Sequence, residues 1–190
     1  MAEQQLPSPS VLRNILRYDP DLGLLFWRPR SADMFDNRNG EASRRASAWN
    51  TKHAGEEAFR NCAVYGYRTG SIFNKSYRAH RVAWAIYYGE WPSKEVDHIN
   101  NVRDDNRIIN LRLACRAENN RNTRPVINSS SRFLGVSWNR KTKVWHASIR
   151  AGGKQRHLGC FRDEVDAARA YDAAAAKHHG EFSNLNFPCA

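Results

Sequence analysis

The spacing of apolar and polar positions divides the chain into three stretches of different character. In the first, Val11, Leu12, Ile15 and Leu16 fall at helical spacing. They predict a helix over 10–17 with Ser10 as its cap. Asp19-Pro20-Asp21-Leu22-Gly23 is a turn signal, and Leu24–Trp27 reads as a strand. Residues 30–60 are polar and poorly patterned, so they read as a loop. Its Arg38, Arg44 and Arg45 either meet phosphate or are simply solvated. Residues 63–77 suit a hairpin, with Val64, Tyr65, Tyr67, Ile72 and Phe73 on strands and Asn74-Lys75 in the turn. Residues 79–88 read as a helix stopped by Gly89, with Val82, Ala83, Ile86 and Tyr87 on one face.

The second stretch, 94–122, predicts a strand, a long loop, a second strand and the start of a helix. Val96 and Ile99 flank Asp97-His98 with β-branched side chains, and Leu111 and Leu113 alternate with Arg112. Neighbours on a strand point to opposite sides. Asp97 can therefore hold a hard divalent cation while His98 addresses a different atom. Asn110 closes the asparagine-rich loop, where its side chain can bond backbone groups and fix the segment carrying His98. A hairpin packed under a helix would bring Asn119 back to Asp97. Taken singly, Asp97 and Asn106 also fit as turn caps, and His98 as a partly buried histidine.

In the third stretch, 123–131 (Thr-Arg-Pro-Val-Ile-Asn-Ser-Ser-Ser) breaks every pattern and reads as a linker. Residues 133–138 are strand-like, 143–150 alternate, Gly152-Gly153 suits a turn and 154–161 make a third strand. Asp163 then caps a helix running to about His179, with Gly180 as its stop and Val165, Ala168, Tyr171 and Ala175 on one face.

Charge narrows the function. A net charge of +11 and a pI near 9.9 point to a polyanionic partner. A membrane is the rival polyanion, but no Lys-rich amphipathic helix stands out and no apolar run approaches spanning length. The first ten residues lack the basic and apolar regions of a secretory signal. Cys62, Cys115, Cys160 and Cys189 form no C-x-x-C pair, which argues against a zinc knuckle and a disulfide framework. Reduced thiols in the cytoplasm of a bacterial or phage-infected cell are expected.

The motifs D-H-I-N, D-N-R, N-L-R and E-N-N-x-N, in register over 77–124, resemble the HNH endonuclease family, whose core is a ββα-metal finger. The resemblance implies His98 as general base, Asn110 as the brace of the catalytic loop, and Asp97 and Asn119 as metal ligands. Asn119 stands where many members have a histidine, which suggests Mg²⁺ (or Mn²⁺) rather than zinc. His80, in the A-H-R-x-x-W segment that precedes the motif in similar phage endonucleases, reads as structural.

Downstream, G-V-x-W, W-H-A-S-I-R, H-L-G-C-F, A-A-R-A-Y-D-A-A-A and L-N-F-P resemble the Apetala-two/ethylene-response-factor DNA-binding domain over about 132–188. That family lays its sheet in the major groove with the helix behind. Alternation then turns Trp145, Ala147 and Ile149 to the helix and His146, Ser148 and Arg150 to DNA. Ser137, Asn139, Arg140, Lys141, Gln155 and His157 should share the DNA face, with Arg156 out of phase. Ser137 and His157 replace arginines and tryptophans of plant members, and the first hairpin is one residue longer, so their GC-rich target does not transfer.

The whole chain is thus expected to be α+β. It would have an N-terminal α+β region of helix and hairpin elements (1–76), an HNH nuclease core (77–124), a linker (125–131) and a three-stranded antiparallel sheet packed on one helix (132–188). The implied function is a metal-dependent DNA endonuclease of the phage or homing type. It would cut one strand of double-stranded DNA per active site, and the sequence requires no oligomer. A sequence-specific DNA-binding regulator with a degenerate nuclease core is the alternative, and a structure-specific or RNA nuclease a third reading.

Overall fold

Helix α1 (Pro9–Ile15) begins earlier than the apolar spacing suggests. Ser8, not Ser10, is its cap: the Ser8 hydroxyl accepts from the Val11 amide at 3.3 Å, and Pro9 occupies the first helical position, where its missing N–H costs nothing. The structure, a computed structural model, describes residues 6–63, 65–120, 122 and 129–188. Val64, residues 123–128 of the expected linker and Cys189 lie outside them. The chain forms two compact units, 1–113 and 114–190, of mixed α/β type with several small antiparallel sheets.

In the first unit, Leu16 and Arg17 leave the helix for strand β1 (Leu16–Asp19), which pairs with β2 (Leu24–Trp27) in the register Leu16↔Trp27 to Asp19↔Leu24. The expected loop at 30–60 instead contains α2 (Ala42–His53). Only Ala42 and Ala46 of that helix are buried, too thin an apolar stripe to give a periodic signal. Arg44 and Arg45 both lie within ion-pair distance of Glu41, at 3.7 and 3.4 Å. β3 (Glu57–Ala58) then adds to β2.

β4 (Asn61–Cys62), β5 (Arg68–Ile72) and β6 (Lys75–Arg78) form a second sheet in that order, a third strand beyond the expected hairpin. Ile72 pairs with Lys75, so the turn is Phe73-Asn74 rather than Asn74-Lys75. α3 (Ala79–Tyr88) ends at Gly89, whose φ of 79° is the left-handed conformation glycine adopts freely. Leu12, Ile15, Leu16, Leu25, Phe59, Ile72, Val82 and Ile86 make the core. Tyr87, expected on the buried face of α3, is exposed. β7 (Glu95–His98) pairs with β8 (Leu111–Ala114), and Trp84, Val96, Leu111 and Leu113 pack together beside them.

The second unit opens with α4 (Arg116–Asn119), where a Glu118 carboxylate oxygen accepts from the Cys115 amide at 2.7 Å. β9 (Val136–Asn139), β10 (Val144–Ala151) and β11 (Lys154–Phe161) form an antiparallel sheet with β10 central. α5 (Glu164–His179) packs across it, capped by Asp163. Ala167, Ala168, Tyr171 and Ala175 are its buried positions; the small residues let helix and sheet lie close. Asp172 receives the Asn186 and Phe187 amides at 2.8 Å each, and Asn186 bonds both the amide and carbonyl of Leu134. That clamp ties the C-terminal segment to the start of the sheet.

Candidate active site and nucleic-acid face

Asp97 and His98 leave β7 in opposite directions and meet different partners. Asp97 is 5% exposed, and its Oδ2 accepts from Nε and Nη2 of Arg112 on the paired strand, at 3.0 and 2.9 Å. A buried carboxylate needs a compensating charge, and Arg112 supplies one with a fixed fork geometry. The alternation of Arg112 with Leu111 and Leu113 marks it as a polar position in an apolar strand; its partner becomes legible only with the register.

His98 is 3% exposed, an enclosed ring. Its Nε2 lies 3.1 Å from Oδ1 of Asn106. The Asn106 amide is oriented by its own Nδ2, which donates to the Asp104 carbonyl at 3.2 Å. Oδ1 must therefore be the atom facing the ring. An amide oxygen only accepts, so the contact is a hydrogen bond when Nε2 carries the ring proton. Burial holds the imidazole below the ordinary histidine value, against the opposing effects of the Asn106 bond and the Asp97 charge.

The loop 99–110 is held from inside and outside. Asn110 Oδ1 accepts from the Asn100 amide at 3.0 Å, its Nδ2 donates to the Asp105 carbonyl at 2.8 Å, and its carbonyl accepts from the Ile99 amide at 2.9 Å. Asp105 receives Arg107 and Asn100, and Arg107 above all pulls its carboxyl down to about 2. From outside, Tyr18 donates its hydroxyl to the Asn106 carbonyl at 2.6 Å, and the Ile108 amide donates to Pro20 at 3.1 Å. Gly23, with φ 71°, lies so close that a Cβ would strike the Asn106–Arg107 backbone. The β1–β2 turn is thus a buttress for the residue that orients His98, a role the sequence did not disclose.

His80, on the first turn of α3, packs edge-on to His98 with ring centroids 5.0 Å apart, and Tyr67 lies 5.2 and 5.8 Å from the two rings. Burial, and then the neighbouring His98, pushes His80 down to about 3, so it is neutral near pH 7.

Asn119 ends α4, in the second unit. No cluster of three or more His, Cys, Asp or Glu side chains suited to a metal occurs among the described residues. The Asp97 carboxylate is the donor type that Mg²⁺ takes, an ion that keeps several waters and needs few protein ligands.

In the C-terminal sheet, Ala147 and Ile149 are buried under α5 while His146, Ser148 and Arg150 turn away from it. Pairing of Ser137 with His146, Ser148 with His157 and Arg150 with Gln155 places all six on one face. His146 and His157 meet edge to face at 5.3 Å, and Gln155 donates to the Ser148 hydroxyl at 2.7 Å. Asn139 Oδ1 receives the Lys141 and Thr142 amides at 3.0 and 3.2 Å, so this side chain also builds the β9–β10 turn that presents Arg140 and Lys141. The sheet slips register between Ala147 and Ser148, and that bulge brings Cys160 onto the outer face, with Sγ 3.6 Å from His157 Nε2. Strict alternation could not have placed Cys160 there.

Comparison with known proteins finds that residues 77–121 match the HNH endonuclease family model. Over 114 residues the chain is 29% identical to Protein 3.8 of Escherichia phage T7, covering 60% of this chain and 93% of that one. Over 58 residues it is 45% identical to the AP2-like ethylene-responsive transcription factor TOE2 of Arabidopsis thaliana, and equally to APETALA2-like protein 2 of Oryza sativa subsp. indica. Those stretches are 30% of this chain but only 12% and 13% of the plant proteins, respectively. Both resemblances drawn from the motifs, HNH and Apetala-two, are therefore found. No helix among the described residues is long and apolar enough to cross a membrane.

Proposed function

We propose that the protein is a metal-dependent HNH DNA endonuclease of the phage or homing type, whose C-terminal sheet reads the major groove of double-stranded DNA. The observation that carries this reading is the pair Asp97-His98 within the HNH-matching segment, each side chain held by its own partner, Arg112 and Asn106.

His98, neutral and protonated on Nε2, accepts a proton at Nδ1 from a water whose oxygen attacks phosphorus. The phosphorus–O3′ bond breaks, and the leaving oxygen takes a proton from solvent. Asn106 fixes the tautomer, Asn110 holds the loop, and Arg112 holds Asp97 in one orientation. A Mg²⁺ or Mn²⁺ ion bound by Asp97 and Asn119 would stabilise charge on the phosphate and the leaving oxygen. One base per chain implies one strand cut per active site.

His98→Ala is expected to lower the cleavage rate roughly a hundredfold or more while DNA binding stays near wild type. Full cleavage by that variant would remove His98 from the mechanism. Asp97→Ala should abolish cutting, and EDTA should do the same to wild type; undiminished cutting in EDTA would exclude the metal.

A second reading has an observation in its favour. Both candidate groups already have protein partners, and the His98 ring is enclosed. This suits a sequence-specific DNA-binding regulator with a degenerate nuclease core. Supercoiled plasmid with Mg²⁺ separates the two, because a regulator leaves it uncut.

A further inference from the structure

In the first unit, well away in sequence from the HNH segment, Arg30 is held in an unusual setting. Its backbone is clamped by Asn50, which accepts from the Arg30 amide at 2.8 Å and donates to its carbonyl at 2.9 Å. Its guanidinium lies 4.0 Å from the ring centre of Trp49 and 5.1 Å from that of Trp27. The Arg30 Nε is sealed from solvent and has no hydrogen-bond partner, and no carboxylate among the described residues pairs with the side chain. Burial alone lowers its pKa, with no compensating charge. A half-buried cation left without an anion is costly unless one arrives from outside.

Two cavities open on this side chain. The first, of about 240 Å³, is edged by His53, Ser71 and Asn74, all able to donate hydrogen bonds, and none of its lining residues is acidic. The second, of about 260 Å³, is walled by Val11, Ile15 and Met34 and is mainly apolar. Arg30 and Phe73 border both.

Phe73 is the second anomaly. It sits in a two-residue hairpin loop with φ 50°, followed by Asn74 with φ 61°. Such loops favour Asn and Gly, because a bulky side chain in the left-handed region is strained. The strain is not offset by burial, since Phe73 is 58% exposed. A strained, exposed aromatic ring beside an unpaired cation is the combination that binds a nucleotide: a π-face for the base and a charge for the phosphate.

We propose that this pocket binds one nucleotide unit, with its phosphate in the polar cavity against Arg30, His53 and Asn74 and its base on Phe73. The inference rests on the nucleic-acid part of the function proposed above, but not on cleavage. It supplies a second anchor on DNA, separate from the sheet of the other unit.

The test uses the full chain and follows the indole N–H resonances of Trp27 and Trp49 by NMR, which needs no catalysis. The probes are inorganic phosphate, thymidine 5′-monophosphate and a short single-stranded DNA. Saturable shifts of these two resonances are expected with the nucleotide-bearing probes. Arg30→Gln should abolish them. Phe73→Ala should weaken the nucleotide and DNA about tenfold, a typical loss for one stacked base, but not phosphate. Competition between monophosphate and DNA marks a site for any nucleotide; binding of DNA alone marks a strand site. If Arg30→Gln disturbs the tryptophan stack, Asn74→Gly, which keeps the left-handed turn, and His53→Ala carry the same expectation. Absence of shifts with all three probes, or shifts unchanged across these variants, overturns the proposal. An uncut plasmid together with normal indole shifts would reject the nuclease reading and leave this one standing.

Discussion

At the scale of single residues, the structure adds to Asp97 and His98 partners that the sequence could not name. The Asp-His pair and Asn110 are legible because four short motifs stand in register. Arg112 as the partner of Asp97 is not, because a cross-strand contact depends on strand register and a twelve-residue loop hides it. Asn106 could be read as a turn cap, whereas its side chain orients His98. Asn106→Ala should therefore slow cleavage, on the order of tenfold or more, the range seen when the group orienting a working side chain is lost. Metal and DNA affinity should stay unchanged. Single-turnover cleavage, read beside binding, checks this, and an unchanged rate would show that the bond does not set the His98 tautomer.

His80 gives a stability prediction at the same scale. It is buried neutral and held down to about 3, whereas the unfolded chain binds a proton with the ordinary histidine pKa of about 6.5. Between those values the unfolded state holds the extra proton, so the stability contributed is complete above about pH 6.5 and lost as pH falls toward 3. The slope is at most about 1.4 kcal/mol per pH unit. Urea unfolding near pH 7 and pH 5 should show the loss in wild type and a flatter slope in His80→Gln; identical slopes would mean that the buried ring titrates as it does when unfolded.

At the scale of elements, legibility followed the strength of the period. Helix α3 stands out by its apolar run stopped at Gly89, and α5 by its apolar positions between the Asp163 cap and Gly180. Helix α2 did not, since two buried alanines make no period. The β1–β2 turn was legible as a turn but not as a buttress, because its partner is about eighty residues further along. Gly23→Ala tests that role. The added methyl meets the Asn106–Arg107 backbone and sits at a φ that alanine tolerates poorly. The variant should lose stability, by about 1–3 kcal/mol, and should lose cleavage beyond what partial unfolding explains. Tyr18→Phe, which removes only the hydroxyl bond to the Asn106 carbonyl, should move activity the same way by less. Normal cleavage by both would separate the turn from the active site.

At the scale of the whole molecule, the proposed function divides chemistry from address, and the side chains of the sheet face allow that division to be tested. Arg140 and Lys141 lie in an exposed turn, where a cation meets phosphate whatever the base sequence. Ser148, His146 and His157 occupy the middle of the face and bond one another or their neighbours, so they can exchange those bonds for base edges. These two kinds of contact respond differently to salt. Losing one phosphate contact on duplex DNA lowers the slope of log affinity against log salt by about 0.9 and weakens every sequence alike. Losing a base contact leaves the slope in place and narrows the gap between target and random DNA. Lys141→Ala is therefore expected to behave in the first way and Ser148→Ala in the second, with Arg150→Ala weakening target binding without altering the rate on bound substrate. Fluorescence anisotropy across a salt series, on target and scrambled duplexes, distinguishes these outcomes. If Ser148→Ala and Arg150→Ala bind both duplexes as wild type does, the sheet is not the reader, and the address must be sought in the first unit.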